Sequence, residues 1–300
     1  MPIDQTFAAP GRFYKGNIHM HSTRSDGARS PEDACCAYRD AGYDFVSLTD
    51  HFLPNYGFPI ADTRSLSSER FTTILGAELH APATSRGELW HIVAVGLPLD
   101  FTPTAVGETG AALAARAAAA GAFISIAHPA WYALTLADAE SIPDAHAIEI
   151  YNHKSQTHTD RGDGSYLADQ LHAGGRNITL CAVDDQHFQA GESFGGYVMV
   201  KAADNSAAAL VESLKSGSFY ASQGPVIENV SYGEDSVEIA CSPASAVMVL
   251  GPGTRAAQRL EPGITRVTLP LAPIRAGGLA RVVVVDAERR RAWTNPVWWR

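Results

Sequence analysis

Short apolar runs that each close on a histidine, aspartate or glutamate recur through the first 190 residues. This recurrence constrains the fold more than any other feature. The first such run is Gly16-Asn17-Ile18-His19-Met20-His21. As a strand it places both imidazoles on one face and Ile18 and Met20 on the other. Phe45 to Thr49 runs into Asp50-His51, and Phe71 to Leu75 leads to Glu78. Trp90-His91 opens the next run, Ala122 to Ala127 ends in His128, and Ile178 to Val183 runs into Asp184-Asp185-Gln186-His187. Apolar runs of this length are the pattern of strands buried on both faces. Helix signals fall between them: Ser30-Pro31-Glu32-Asp33 as an N-cap with acids in the first turn, an alanine-rich stretch 105–120, Ser165–Ala173 and 205–216. Residues 153–164 read as a polar loop. Alternating strands and helices predict a barrel-like parallel sheet whose C-terminal strand ends meet at one mouth. Ligands spread over 170 residues of chain would then lie together.

After residue 222 the texture changes. Short β-type segments separated by Gly, Pro and Asp predict a small all-β domain over 223–300, behind an α/β domain over 1–222. Trp293, Trp298 and Trp299 are expected to pack back onto the junction. Cys35, Cys36, Cys181 and Cys241 form no CxxC pair and read as reduced thiols of a cytoplasmic protein. The first ten residues lack a signal-peptide pattern, and no run reaches membrane-spanning length. A net charge of −9 with no basic run speaks against sequence-independent nucleic-acid binding and leaves a small molecule as the expected substrate.

Imidazole and carboxylate together suit zinc, manganese or iron, and thiolate is absent from the set. Nine candidates are too many for one ion and suit two or three, with Glu78 as the candidate bridge. Asp185 is preferred to Asp184 because of its x-His spacing. Single histidines at strand ends are mostly surface or hydrogen-bonded residues, so His80, His146, His153, His158 and His172 receive no role. A serine triad lacks its Gly-x-Ser-x-Gly elbow, and no phosphate-cradling Gly-x-x-x-x-Gly-Lys motif occurs.

The run Gly16 to Gly27 with His19-x-His21 and Asp26, then Leu48-Thr49-Asp50-His51, Glu78, His91, His128-Pro129 and Asp185-x-His187, resembles the PHP (polymerase and histidinol phosphatase) superfamily over residues 14–220. The resemblance implies a distorted (β/α)7 barrel with two to three divalent ions (Mn, Fe or Zn) at its mouth. It implies His19, His21, Glu78 and Asp185 around one ion, Glu78, His91 and His128 around a second, and Asp26, His51 and His187 around a third. Glu149-Ile-Tyr-Asn152, the doubled acid at Asp184-Asp185 and the ending Ala292-Trp-Thr-Asn-Pro-Val-Trp298 are similar to CehA/McbA-type metallohydrolases. The expected activity is phosphoester hydrolysis by a metal-activated hydroxide, with Asp185 or His187 passing a proton to the leaving group. Carbamate or ester hydrolysis is the alternative, and a catalytically silent metal-binding scaffold a third reading. Asp-Asp-Gln-His replaces the Gly-Ser-Asp-Ala-His of nucleotide-directed phosphoesterases, which weakens a carry-over of nucleotide specificity. Arg24, Arg64, Lys154 and Arg161 lie on stretches able to reach the mouth, and each reads as a solvated loop charge. A phosphomonoesterase would place one of them there; a carbamate hydrolase would use the apolar loop 52–60 instead.

Overall fold

The computed structural model describes residues 5–299. Among these residues sixteen strands join one mixed sheet. The strands are β1 (Arg12–Asn17), β2 (Phe45–Leu48), β3 (His51–Phe52), β4 (Thr72–Ala81), β5 (Trp90–Val95), β6 (Phe123–Ile126), β7 (Ala147–Asn152) and β8 (Thr179–Val183), then β9 (Tyr197–Ala202), β10 (Phe219–Ser222), β11 (Ile227–Tyr232), β12 (Ser236–Leu250), β13 (Ala256–Pro270), β14 (Leu279–Val285), β15 (Arg291–Thr294) and β16 (Val297–Trp298). The helices are α1 (Gln5–Ala8), α2 (Pro31–Asp40), α3 (Gly110–Ala119), α4 (Leu136–Glu140), α5 (His153–Thr159), α6 (Ser165–Ala173), α7 (Ala207–Lys215) and α8 (Ala272–Arg275). Hydrogen bonding runs β11-β12-β14-β15-β10-β9-β1-β2-β4-β5-β6-β7-β8.

The sheet is not the parallel one that the sequence pattern predicts. β1, β2 and β4 are parallel, as are β6, β7 and β8, but β5 runs antiparallel to both β4 and β6. The 82–89 connection between β4 and β5 is too short for a crossover helix, so the two strands close as a hairpin. β5 therefore enters at the sheet edge where its neighbours leave. That is why His91 opens its strand while the other candidates follow theirs; in the register His80 faces His91. β9, antiparallel to β1, was not anticipated.

Other elements shift by a few residues. β1 ends at Asn17, ahead of the two histidines, yet the pleat continues: Ile18 and Met20 are fully buried, and Met20 makes an isolated parallel bridge with Gln186 beyond β8. α2 starts as expected, with Ser30 Oγ accepting from the Asp33 N–H. The segment 153–164 is not all loop. α5 forms because Asn152 caps it, its Oδ1 accepting from the Ser155 N–H at 2.9 Å, and it stops where Asp160 turns to φ 56°.

One core cluster draws Tyr14, Phe45, Ile74, Val93, Phe123, Ala147, Cys181, Val198 and Phe219 from successive strands. By strand alternation Ile74 shares a face with Glu78, and Val93 with His91, so this apolar plug underlies the ligand-type residues. A second cluster packs the strands after residue 220, with Ile227, Ile239, Val247, Leu269 and Val282 among its members. Sheet hydrogen bonding crosses the predicted boundary without a break, since β10 pairs β9 on one side and β15 on the other. All four cysteines are free thiols. No helix among the described residues is long and apolar enough to cross a membrane.

Trp293 and Trp298 pack back across residue 222 as expected, whereas Trp299 packs among the later strands. Trp293 stacks on Tyr151 of β7 at 6.4 Å, Trp298 meets His172 edge-on, and Trp299 meets Tyr232. Asn295 between them is the tighter tie: its Oδ1 accepts from the Leu180 N–H at 2.8 Å, and its Nδ2 donates to Gly217 O at 3.0 Å and Phe219 O at 2.8 Å. Each buried group left unpaired costs roughly 1–3 kcal/mol. Asn295→Ala should therefore lower the unfolding free energy by about 3 kcal/mol. Urea unfolding of the two proteins measures this, and a change below about 1 kcal/mol would remove Asn295 from that role.

Candidate metal centre

Glu78 sits at the middle of the site and has no exposed surface. Its Oε1 lies 3.6 Å from His19 Nε2, 2.8 Å from His91 Nδ1 and 3.1 Å from His128 Nε2. Its Oε2 lies 3.7 Å from His21 Nε2 and 2.6 Å from His51 Nδ1. On one side Asp185 Oδ1 approaches His19 Nε2 (3.4 Å) and His21 Nε2 (3.1 Å). On the other, Asp26 Oδ1 approaches His51 Nε2 (3.5 Å) and His187 Nε2 (3.2 Å). All nine sequence candidates thus converge. Their ligand-type atoms group as His19/His21/Asp185, His19/Glu78/His128 and His21/Asp26/His51/His187, while a fourth group joins His51, Glu78 and His91 to His80.

The backbone is bent to make this possible. His128 (φ 24°) and Asp185 (φ 55°) occupy the left-handed region, a cost of order 1–3 kcal/mol that concentrates at functional sites. Asp50 is not among the converging groups. It accepts from the Ser22 N–H (2.7 Å), Ser22 Oγ (2.8 Å) and Ser25 Oγ (2.7 Å), which fixes the turn carrying Asp26. Gly27 completes that turn, because a Cβ there would lie 2.5 Å from His21 O. Asp184 is structural as well. It accepts from Tyr38 Oη (2.6 Å) and from the N–H groups of Phe194, Gly195 and Gly196.

A cation fits this donor set. His19 Nδ1–H donates to Glu149 Oε1 (2.7 Å) and His187 Nδ1–H to Asp185 O (2.8 Å), so both rings turn Nε2 inward. Those two Nε2 atoms and His21 Nε2 are buried without a hydrogen-bond partner among the described residues. Glu149 does more than hold His19: its Oε2 accepts from the His128 N–H (2.6 Å) and Asn152 Nδ2 (2.9 Å). The Glu149-Ile-Tyr-Asn152 run therefore braces the His19 ring and the His128 backbone and caps α5.

Charge is balanced internally. Burial opposes ionisation of Glu78, yet His51, His91 and His19 hold its carboxyl well below the usual range. Asp185 is likewise held low against burial, by His19 and His21. Burial also opposes the His51 cation, but Glu78 and Asp26 prevail and raise it to about 10. His21 goes the other way: burial and its imidazole neighbours keep it neutral.

Two histidines without an expected role belong here. His80 follows Glu78 by two residues inside β4, a strand longer than predicted, and so shares its face. Its Nδ1–H donates to Trp90 O (3.0 Å), its Nε2 lies 2.9 Å from His51 Nδ1, and burial lowers it to about 3. The Glu-x-His period was the available signal. His158 lines the cavity above the cluster, about 320 Å³ in volume, with Trp131, Lys154, Ser155 and Thr159. His146, His153 and His172 are hydrogen-bonded structural residues, as expected. Of the four cations weighed, Lys154 alone reaches the wall; Arg64 pairs with Asp62, and Arg161 donates to Trp131 O.

No protein-family model and no curated protein matches the chain. Solved structures do. A two-domain protein containing a predicted PHP-like metal-dependent phosphoesterase, from Bacteroides vulgatus, matches at 20% identity with a TM-score of 0.54, covering 88% of each chain. The chain shares that protein's fold. A candidate metal-dependent phosphoesterase from Bifidobacterium adolescentis (15% identity, TM-score 0.44) and an amidohydrolase from Chromobacterium violaceum with bound sulfate and no metal (15%, 0.41) each cover 59% of this chain and 89% of their own.

Because His51 retains its proton to about pH 10, a divalent ion entering at pH 7 has to displace it. Titration calorimetry of metal-stripped protein with Zn²⁺, in buffers of different ionisation enthalpy, should show net proton release and tighter binding as pH rises. Binding that neither releases protons nor responds to pH between 6 and 8 would contradict the arrangement.

Proposed function

We propose that the chain is a PHP-type metal-dependent phosphoesterase acting on a small molecule. The observation that supports it over the carbamate reading is Lys154, the one lysine or arginine in the cavity wall among the described residues. Of the apolar loop that a carbamate site would use, Phe52, Phe58 and Ile60 pack on the core, and Tyr56 stacks on His51 at 6.4 Å. On this reading the fold is the distorted (β/α)7 barrel, its mouth tied by the Met20–Gln186 bridge, and residues 223–300 form a small β domain.

His19, His21, Glu78 and Asp185 would hold one ion, Glu78, His91 and His128 a second, and Asp26, His51 and His187 a third. Divalent manganese, iron or zinc at these positions supplies Lewis acidity toward a phosphoryl oxygen and lowers the pKa of water. The protein's own part is orientation. Glu149 and the Asp185 carbonyl fix the ring tautomers, the left-handed turns at His128 and Asp185 aim the side chains, and Lys154 binds a phosphoryl oxygen as a point charge. Asp185 and His187 are fully used as ligands. With Nε2 on an ion, His187 would keep only its Nδ1–H, which faces the Asp185 carbonyl.

Manganese- or zinc-loaded protein should hydrolyse p-nitrophenyl phosphate or its bis ester in preference to 1-naphthyl methylcarbamate. Turnover of the carbamate alone would reverse the assignment, and full metal occupancy with no turnover of any of them would favour the silent scaffold. Lys154→Ala should raise KM for a monoester by about 10- to 100-fold, the worth of a charge-assisted hydrogen bond. Glu78→Gln should remove more than one equivalent of metal by elemental analysis; loss of none would exclude a bridging role.

A further inference from the structure

We infer that His158, held by Glu192, is the general acid that protonates the leaving group, an assignment that rests on the phosphoesterase reading. A site built only from ligands has no group free to do this. With Nε2 on an ion, the rings of His19 and His187 would keep only an Nδ1–H, which goes to Glu149 and to a backbone carbonyl. His158 is different: it lines the cavity and belongs to none of the ligand-type groups.

Its placement follows from α5. Lys154, Ser155, His158 and Thr159 are spaced i, i+1, i+4 and i+5, which is one helical face, and all four line the cavity. Lys154 and His158 therefore stand one turn apart over the same opening. The His158 side chain is one-third exposed, so it is open to a bound ester. Trp131, 40% exposed, supplies another part of the wall against which an organic leaving group can lie.

The ring is oriented from behind. His158 Nε2–H donates to Ala190 O at 3.3 Å and lies 3.5 Å from Glu192 Oε1. Glu192 has no exposed surface, although it sits in a loop beside the mouth. Its Oε2 accepts from the N–H groups of His187 (2.8 Å) and Gln189 (2.9 Å), which fixes the carboxylate. Its Oε1 makes no hydrogen bond among the described residues and is directed at the imidazole. With Nε2 committed to these two acceptors, Nδ1 carries the transferable proton. This is the orienting logic of a carboxylate–histidine pair, with Glu192 as the positioning residue.

In the step itself, a water oxygen bonds to phosphorus as the bond from phosphorus to the leaving oxygen breaks. The bonding pair goes to the leaving oxygen, which takes the Nδ1 proton. The products are the alcohol or phenol, phosphate keeping one water proton, and neutral His158. The second water proton passes to solvent, and His158 regains a proton from solvent before the next turnover.

An alkoxide or a phenolate of high pKa needs that proton far more than p-nitrophenolate does. Wild type, His158→Ala and Glu192→Gln are compared on phenyl phosphate and p-nitrophenyl phosphate, each with metal content measured. The loss of kcat in His158→Ala should be on the order of 100-fold larger for phenyl phosphate than for p-nitrophenyl phosphate, with unchanged metal content. Glu192→Gln should shift in the same direction by a smaller factor. If Glu192→Gln does not fold, His158→Ala decides alone, since its side chain is partly exposed and its removal leaves no buried gap. Equal losses on the two esters would overturn the general-acid role while leaving the phosphoesterase reading intact. A wild type that hydrolyses neither ester would overturn the reading and the role together.

Discussion

The molecule turns on one buried carboxylate. Glu78 has no contact with solvent, and six imidazoles, those of His19, His21, His51, His80, His91 and His128, approach its two oxygens within 4 Å. An unpaired carboxylate at that depth would cost far more than a marginally stable protein can bear. The surrounding histidines, or cations in their place, are therefore a condition of folding the sheet this way. The same condition accounts for the left-handed turns at His128 and Asp185: their strain is offset because each delivers a partner to the centre.

Much of this was readable from the chain. His19 and His21 share a face because a strand pleat alternates, apolar runs closing on polar residues located His51, Glu78, His128, Asp185 and His187, and Asp26 was found by its spacing after His21. His91 stood out as a residue that opens its strand, and the β4–β5 hairpin explains it: reversing one strand brings its start to the common mouth. The parallel-sheet expectation failed at that hairpin. Periodicity reports burial and says nothing about strand direction; the short 82–89 link was the signal that mattered.

What stayed hidden is also instructive. His80 looked like an ordinary strand-end residue because β4 was read as stopping at Leu75; once the strand extends through Ala81, Glu78 and His80 must point the same way. His158 was hidden by the polar composition of 153–164, which resembles a loop until Asn152 is recognised as a cap. Glu192 could not have been found locally. Its role depends on a loop folding back to cover it, and no spacing in the chain records that. Glu149 and Asn152 were visible only as a family-like run, and their physical purpose emerges from the bonds they make.

The Asn295 clamp has a consequence for how the protein is made. β8 leads directly into Asp185 and His187, yet the Leu180 N–H near its start is satisfied by a side chain 115 positions downstream. While the chain emerges from a ribosome, residues 1–222 can be complete in sequence and still lack that bond, leaving β8 at the open end of the hydrogen-bonded path. Synthesis is N-terminal first, so this bond forms only after the downstream strands have emerged. A nascent chain interrupted before residue 295 would carry Asp185 and His187 behind a strand whose Leu180 N–H is not yet bonded to Asn295.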